Sequence, residues 1–310
     1  MISKFNIGLI AFLFIMLITI NYMPDFQMLS PYNPHWDGIS LLYKNSSGLI
    51  TSSSSLNYNG VLLIINPEKI PSNTDIKNLK LFLNNGNEII ISGYGNYVNY
   101  LIRSLGGNIT TYNSIVYDDV INYKSNVFPI ALSNGSKLIF FYTSYLKNGY
   151  PLANTSFFSY IKNGSNDIYG PFIVASKEKI NKGELIVIAD PYFFVNYVIT
   201  LGNNYNFFLN LTSGKKYYIG TFLQKMTPYV YFKEKLVLIS NFISQTYMQL
   251  ILIPSLFILS FIFYNMKMEE KANKLVDLDK IMKEHPDWDI EIVKKILEEK
   301  NNEARWCIKN

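Results

Sequence analysis

The chain has 310 residues, 49% hydrophobic and only 16% charged, against the roughly 25% charged residues of an ordinary soluble domain; apolar segments must be sought first, and the surface must rely on uncharged polar groups and 24 tyrosines. A net charge of +5 is spread without a stripe of Lys and Arg, so nucleic acid is not expected as a partner. The single cysteine, Cys307, excludes an internal disulfide, a cysteine zinc cluster and a CxxC redox pair.

Residues 5–24 carry no charge, and about twenty residues is one bilayer crossing. A transmembrane anchor is predicted over residues 1–24. A cleaved leader is the competing reading, but Tyr22, Met23 and Pro24 do not form a small-residue cleavage site. A second uncharged run is densest from Leu250 onward and predicts a membrane helix over 246–266, with Pro254 as a kink. Lys4 precedes the first run, and Lys267, Lys271 and Lys274 follow the second. By the positive-inside rule both termini are then cytoplasmic, the segment 25–245 is extracellular, and the lipid bilayer is a partner. Asn-x-Ser/Thr triplets at Asn45, Asn108, Asn134, Asn154, Asn163 and Asn210 all lie between the two runs and are candidate glycosylation positions.

Within the middle segment, GVLLIINP reads as a strand, and Ser72 to Asn85 as a helix capped by Ser72 or Asn73 and ended by Asn85-Gly86. NEIIISGYG is a second strand, YVNYLIRSLGG a second helix closed by Gly106 and Gly107, and NITTYNSIVY a third strand. The following half is strand-rich: FPIAL, KLIFFY, FIVAS and ELIVIAD, with a hairpin turn at Lys182-Gly183. PYFFVNYVITLG reads as a helix begun by Pro191, and NNYNFFLNL as another. Strands alternating with helices imply a parallel sheet covered on both faces, with any ligand outside the strands' carboxyl ends.

The run from Gly60 to Ile109, together with PYNPHWDGISLLYK, GELIVIADPYFFVN and NNYNFFLNL, resembles an uncharacterised membrane-anchored family with a class I glutamine amidotransferase-like domain. The resemblance spans about residues 30–265. It implies an α/β, three-layer flavodoxin-like domain with a mostly parallel sheet, and no established activity. True amidotransferases of this class use a Cys nucleophile activated by a His. Here the corresponding strand ends offer Ser92-Gly93-Tyr94-Gly95 and Asp190-Pro191, neither a thiol.

Candidate ligand-binding positions are therefore Asp190 and Ser92, at ends of predicted strands, with Tyr94 beside Ser92 and Asn196 just beyond Asp190. Ser92 lacks a G-x-S-x-G elbow, and the middle segment has one His, His35. GYGNY stops short of a dinucleotide fingerprint. His35-Trp36-Asp37 reads as a packing anchor at Trp36 and a helix cap at Asp37 rather than a metal pair. Asp118, Asp119 and Asp190 could gather as calcium ligands, although adjacent carboxylates usually mark a solvated turn. No metal, cofactor or catalytic residue is assigned.

Beyond Met266, the 44 remaining residues hold ten Lys or Arg and eleven Asp or Glu. Leu275, Leu278, Ile281 and Met282 mark one amphipathic helix. Ile290, Val293, Ile296 and Leu297 mark a second, capped by Asp287 or Asp289. The expected function is a non-catalytic surface protein whose outer domain binds a ligand or an envelope protein, with the tail open to a cytoplasmic partner. The alternative is a membrane-anchored hydrolase with an acidic site near Asp190.

Overall fold

The computed structural model describes residues 25–164, 166–243 and 285–297, with positions 23, 254, 282, 283 and 299. Glu234 is the last residue of one compact unit, and a second begins at Lys235. In chain order the helices are α1 (Ser40–Asn45), α2 (Asn73–Asn84), α3 (Asn96–Leu105), α4 (Asn196–Ile199), α5 (Asn204–Thr212) and α6 (Pro228–Ile243). The first eight strands are β1 (Leu49–Ile50), β2 (Val61–Ile65), β3 (Glu88–Ser92), β4 (Thr110–Thr111), β5 (Val116–Asp118), β6 (Asn122–Tyr123), β7 (Ser125–Ser133) and β8 (Ser136–Ile139). They are followed by β9 (Leu146–Lys147), β10 (Tyr150–Asn154), β11 (Ser159–Asn163), β12 (Asn166–Tyr169), β13 (Ile173–Ile180), β14 (Gly183–Ile188) and β15 (Tyr217–Gly220).

The strand order β1-β15-β2-β3-β14-β13-β10-β7-β6 divides the main sheet into two regimes. From β1 to β14 every pairing is parallel, and β2, β3 and β14 are buried along almost their whole length. Alternate residues face opposite sides, as the pleat requires. Leu62, Ile64, Ile89 and Ile91 pack with Leu79 and Phe82 of α2 and Leu101 and Ile102 of α3. Leu63, Ile65, Ile90 and Ile188 pack with Val198 of α4, Phe208 of α5 and the loop residues Phe193 and Phe194.

The expectation of a mostly parallel, flavodoxin-like sheet is corrected by the other regime. Among the described residues four strand pairings are parallel and nine antiparallel. The cause is local. Between β5 and β14 no described residue is helical, and parallel neighbours need a long crossover. Short turns join the strands instead: Asn134 and Gly135 sit at φ 46° and 79° between paired Ser133 and Ser136, the two-residue loop that suits a twisted hairpin. A separate three-stranded sheet, β12-β11-β5, is antiparallel throughout.

Local chemistry fixes the helices that position the strand ends. Ser72 and Asp75 form a capping box at the start of α2, and α3 ends on left-handed Gly106. Three predicted elements shift. NITTYNSIVY splits into β4 and β5. The β13–β14 turn is Asn181-Lys182, since Ile180 pairs with Gly183. Residues 191–194 form turns rather than a helix begun by Pro191, because the Asp190 carboxylate accepts the Tyr192 N–H and holds the chain in a turn.

The two-pass membrane topology, with an extracellular middle domain, is likewise corrected. Among the described residues no helix is long and apolar enough to cross a membrane. The runs expected to span, 1–24 and 246–266, lie outside the described residues apart from single positions, as does the first tail helix apart from Met282. In the tail, residues 290–297 are helical, and the Glu291 N–H donates to Asp289 Oδ1 at 2.9 Å, making Asp289 the cap. Val293 and Leu297 are buried, whereas Ile290 and Ile296 are exposed.

Candidate binding site

Parallel register brings the carboxyl ends of β2, β3 and β14 to one edge, with Ile65 beside Ser92 and Ser92 beside Ile188. The Asn66 N–H donates to the Ser92 carbonyl at 2.7 Å, and the Gly93 N–H to the Ile188 carbonyl at 2.9 Å. Asn66, Gly93-Tyr94 and Asp190 therefore emerge together where a sheet of this kind binds ligands. Gly95, at φ 96°, turns the chain into α3, and its N–H donates to Thr111 Oγ1 at 2.9 Å. A side chain there would meet Asn113 Oδ1 at 3.0 Å.

Asp190 is completely buried. Its Oδ2 accepts the Phe141 N–H at 2.7 Å and its Oδ1 the Tyr192 N–H at 2.7 Å. Burial pushes its carboxyl up to about 7, while the N–H groups of Phe141, Tyr192 and Phe193 oppose the rise by favouring the charged form. The Ser92 hydroxyl, also fully buried, donates to the main-chain carbonyl of Asp190. Both groups are thus spent on the backbone that closes the edge. His35, the one histidine of this segment, stacks on Phe26 with ring centres 4.9 Å apart and provides no base for Ser92.

Around this closed point the surface is tyrosine. Burial raises the Tyr94 hydroxyl, and Tyr192, Asp190 and Tyr117 raise it further. Burial likewise raises Tyr192, with contributions from Asp190, Glu68 and Tyr142. Phe141 lies 4.6 Å from the Tyr142 ring and 5.7 Å from that of Tyr192. Tyr142 is held at φ 52°, unusual for a bulky residue. Tyr117, Tyr142, Tyr192 and Glu68 were not marked as site residues in the sequence. The available signal was the tyrosine excess together with Tyr192 following a strand-end Asp.

Asn196 lies elsewhere. Its Nδ2 donates to the carbonyls of Asn33 at 3.1 Å and His35 at 2.6 Å and to Ser40 Oγ at 3.2 Å, and its Oδ1 accepts the Leu41 N–H at 2.9 Å. It clamps the segment before α1 to the domain. Asp37 does not cap α1, whose N-cap is Ile39; it accepts from Asn33 Nδ2 at 3.0 Å. Trp36 is 58% exposed rather than a packing anchor. Asp118 Oδ1 accepts the N–H groups of Val120 and Ile121 at 2.9 and 2.6 Å. Among the described residues no three His, Cys, Asp or Glu side chains gather as a metal site, so Asp118, Asp119 and Asp190 form no calcium cluster. The six triplet asparagines, Asn45, Asn108, Asn134, Asn154, Asn163 and Asn210, are exposed. An open hollow of about 510 Å³ on α3 is lined by Asn96, Asn99, Tyr100, Arg103 and Ser104, but Asn99 is occupied by both backbone groups of Thr111.

Among solved structures, the one titled mmIFT52 N-terminal domain is 16% identical, covering 53% of this chain and 82% of that chain with a TM-score of 0.42. A catalytic mutant of Gan42B, a GH42 β-galactosidase from G. stearothermophilus, is 14% identical over 49% of this chain and 21% of that one, TM-score 0.30. A β-galactosidase from Bacillus circulans is 10% identical over 52% and 24%, TM-score 0.33. Similarities of this size describe partial overlap of secondary structure and carry no function with them. No curated protein matches the sequence. The family match brings neither an amidotransferase-like domain nor a membrane anchor, so that description, read from the sequence, is corrected. The model that does match spans residues 31–212 and so contains Ser92, Tyr94, Asp190 and Asn196; the chain belongs to the family described as domain of unknown function DUF4350.

Proposed function

We propose that residues 25–234 form a non-catalytic binding domain whose recognition surface is the tyrosine rim at the carboxyl ends of β2, β3 and β14. The observation that carries this reading is the contrast between centre and rim. At the centre, both carboxylate oxygens of Asp190 and the Ser92 hydroxyl are bonded to main chain inside the protein. At the rim, Tyr94, Tyr117 and Tyr192 are half-buried and Tyr142 is 41% exposed. Tyrosine provides an apolar ring and a polar tip with few rotatable bonds, which suits recognition more than turnover.

A proton held near neutrality is what a general acid needs, and that favours the hydrolase alternative at Asp190. Accessibility counts against it, because Asp190 has no exposed surface and an acid must reach its substrate within hydrogen-bond distance.

The test is to assay the full-length chain against chromogenic esters, phosphate esters and glycosides. No turnover is expected from the wild type. Turnover that disappears in Asp190→Asn or Ser92→Ala, with folding intact by circular dichroism, would overturn the binding reading.

A further inference from the structure

We infer that the recognition surface continues from Tyr94 along Tyr117, Tyr160 and Tyr169 as an open aromatic row that holds a neutral oligosaccharide. This assigns a ligand class to the binding domain proposed above and rests on that reading. Register places the row: Tyr117 of β5 pairs with Tyr160 of β11, which pairs with Tyr169 of β12. Directly paired residues share one face of a sheet. The ring centres are 5.6 Å apart from Tyr117 to Tyr160 and 6.1 Å from Tyr160 to Tyr169.

The opposite face is already used. Val116 and Ile161, each one residue from a row tyrosine, pack with Phe172 and Tyr145 in a small core of their own. Adjacent residues point to opposite faces, so the tyrosines face away from that core, and Tyr169 is 65% exposed. The row joins the strand-end rim through β5: the N–H of Val116, next to Tyr117, donates to the carbonyl of Thr143, next to Tyr142, at 2.9 Å.

Charge selects the class of ligand. Lys162 lies 5.2 Å from the centre of the Tyr117 ring, and its cross-strand partner is Asp167. Burial raises the Tyr160 hydroxyl, and the Asp119 carboxylate beside it, with Asp167, raises it further. One cation against two carboxylates repels a polyanion, whereas an aromatic track for nucleic acid is lined with positive charge. A neutral sugar chain meets every demand of the row. The C–H face of a pyranose covers the exposed Tyr169 ring, neighbouring units lie along the edges of the stacked Tyr160 and Tyr117 rings, and their hydroxyls pair with the Tyr tips, with the carboxylates of Asp119 and Asp167 as acceptors and with Lys162 as donor. The ring centres, 5.6 and 6.1 Å apart, advance by roughly one sugar unit each.

Calorimetric titration of the full-length chain with neutral hexasaccharides tests this, using β-1,4- and α-1,4-linked glucose, β-1,4-linked mannose and β-1,4-linked N-acetylglucosamine. At least one is expected to bind about tenfold more tightly than its own disaccharide, and Tyr160→Ala and Tyr169→Ala each to weaken it about tenfold at unchanged melting temperature. Tyr160→Phe, which keeps the ring, should restore most of the affinity. No binding by any of the four, or tighter binding of an oligouronate or oligothymidine, overturns the ligand class. Binding lost in Tyr94→Ala but retained in Tyr160→Ala and Tyr169→Ala overturns the row and leaves the binding domain standing. Cleavage of a bound sugar overturns the binding reading itself.

Discussion

The backbone N–H of Phe141 donates to Oδ2 of Asp190 at 2.7 Å, joining two points 49 residues apart in the chain. One oxygen thereby ties the loop after β8 to the end of β14, while the other ties down Tyr192. The strand ends are closed by the protein's own backbone.

This arrangement has a pH signature. Burial raises the folded-state pKa of Asp190 from 3.8 to about 7, so the folded form binds the proton more tightly than the unfolded form. The stabilisation from that proton is fully present below about pH 4 and is lost as pH rises to about 7, a change of up to about 4 kcal/mol. Urea midpoints measured from pH 4 to 7.5 should fall for the wild type by more than for Asp190→Asn, which cannot titrate. Parallel curves for the two proteins would contradict this.

Asn196→Ala removes four hydrogen bonds at once and takes this partner from the buried Asn33 carbonyl, the His35 carbonyl and the Leu41 N–H. The expected cost is about 3 kcal/mol. Limited proteolysis should reveal early cleavage between residues 25 and 45, while ligand affinity at the tyrosine rim stays unchanged.

Ser72→Ala breaks the capping box with Asp75, in which the Asp75 N–H donates to Ser72 Oγ at 3.1 Å and the Ser72 N–H to Asp75 Oδ2 at 2.9 Å. A loss of about 1 kcal/mol is expected in the denaturant midpoint, with no change in its slope and none in binding.

Gly95→Ala forces a side chain onto a φ of 96° and against Asn113. The expected loss is about 1–2 kcal/mol. Because Gly95 follows Tyr94 directly, ligand affinity should also fall, which separates this variant from Ser72→Ala. Equal binding by the two variants would show that the rim does not depend on the start of α3.

The parallel half of the sheet was legible in the sequence because its signals are local. GVLLIINP and NEIIISGYG are short apolar runs, and Ser72, Gly86 and Gly106 punctuate the helices that follow them. The antiparallel half was less so. Strands such as β5 and β9 are three and two residues long, and partners distant in sequence decide their pairing. Tyr217–Gly220 reads as nothing in particular until it is inserted in parallel between β1 and β2. Asp190 stood out because it ends a buried run. The role of Asn196 was hidden because its bonding partners lie 155 to 163 residues away.

Amide hydrogen exchange at Phe141 and Tyr192 in the full-length chain tests most directly whether the strand ends are closed. Both amides are bonded to a carboxyl with no exposed surface, so they should exchange as slowly as the amides of β14. Exchange at the rate of an open loop would mean that solvent reaches Asp190, and the non-catalytic reading of this edge would fall.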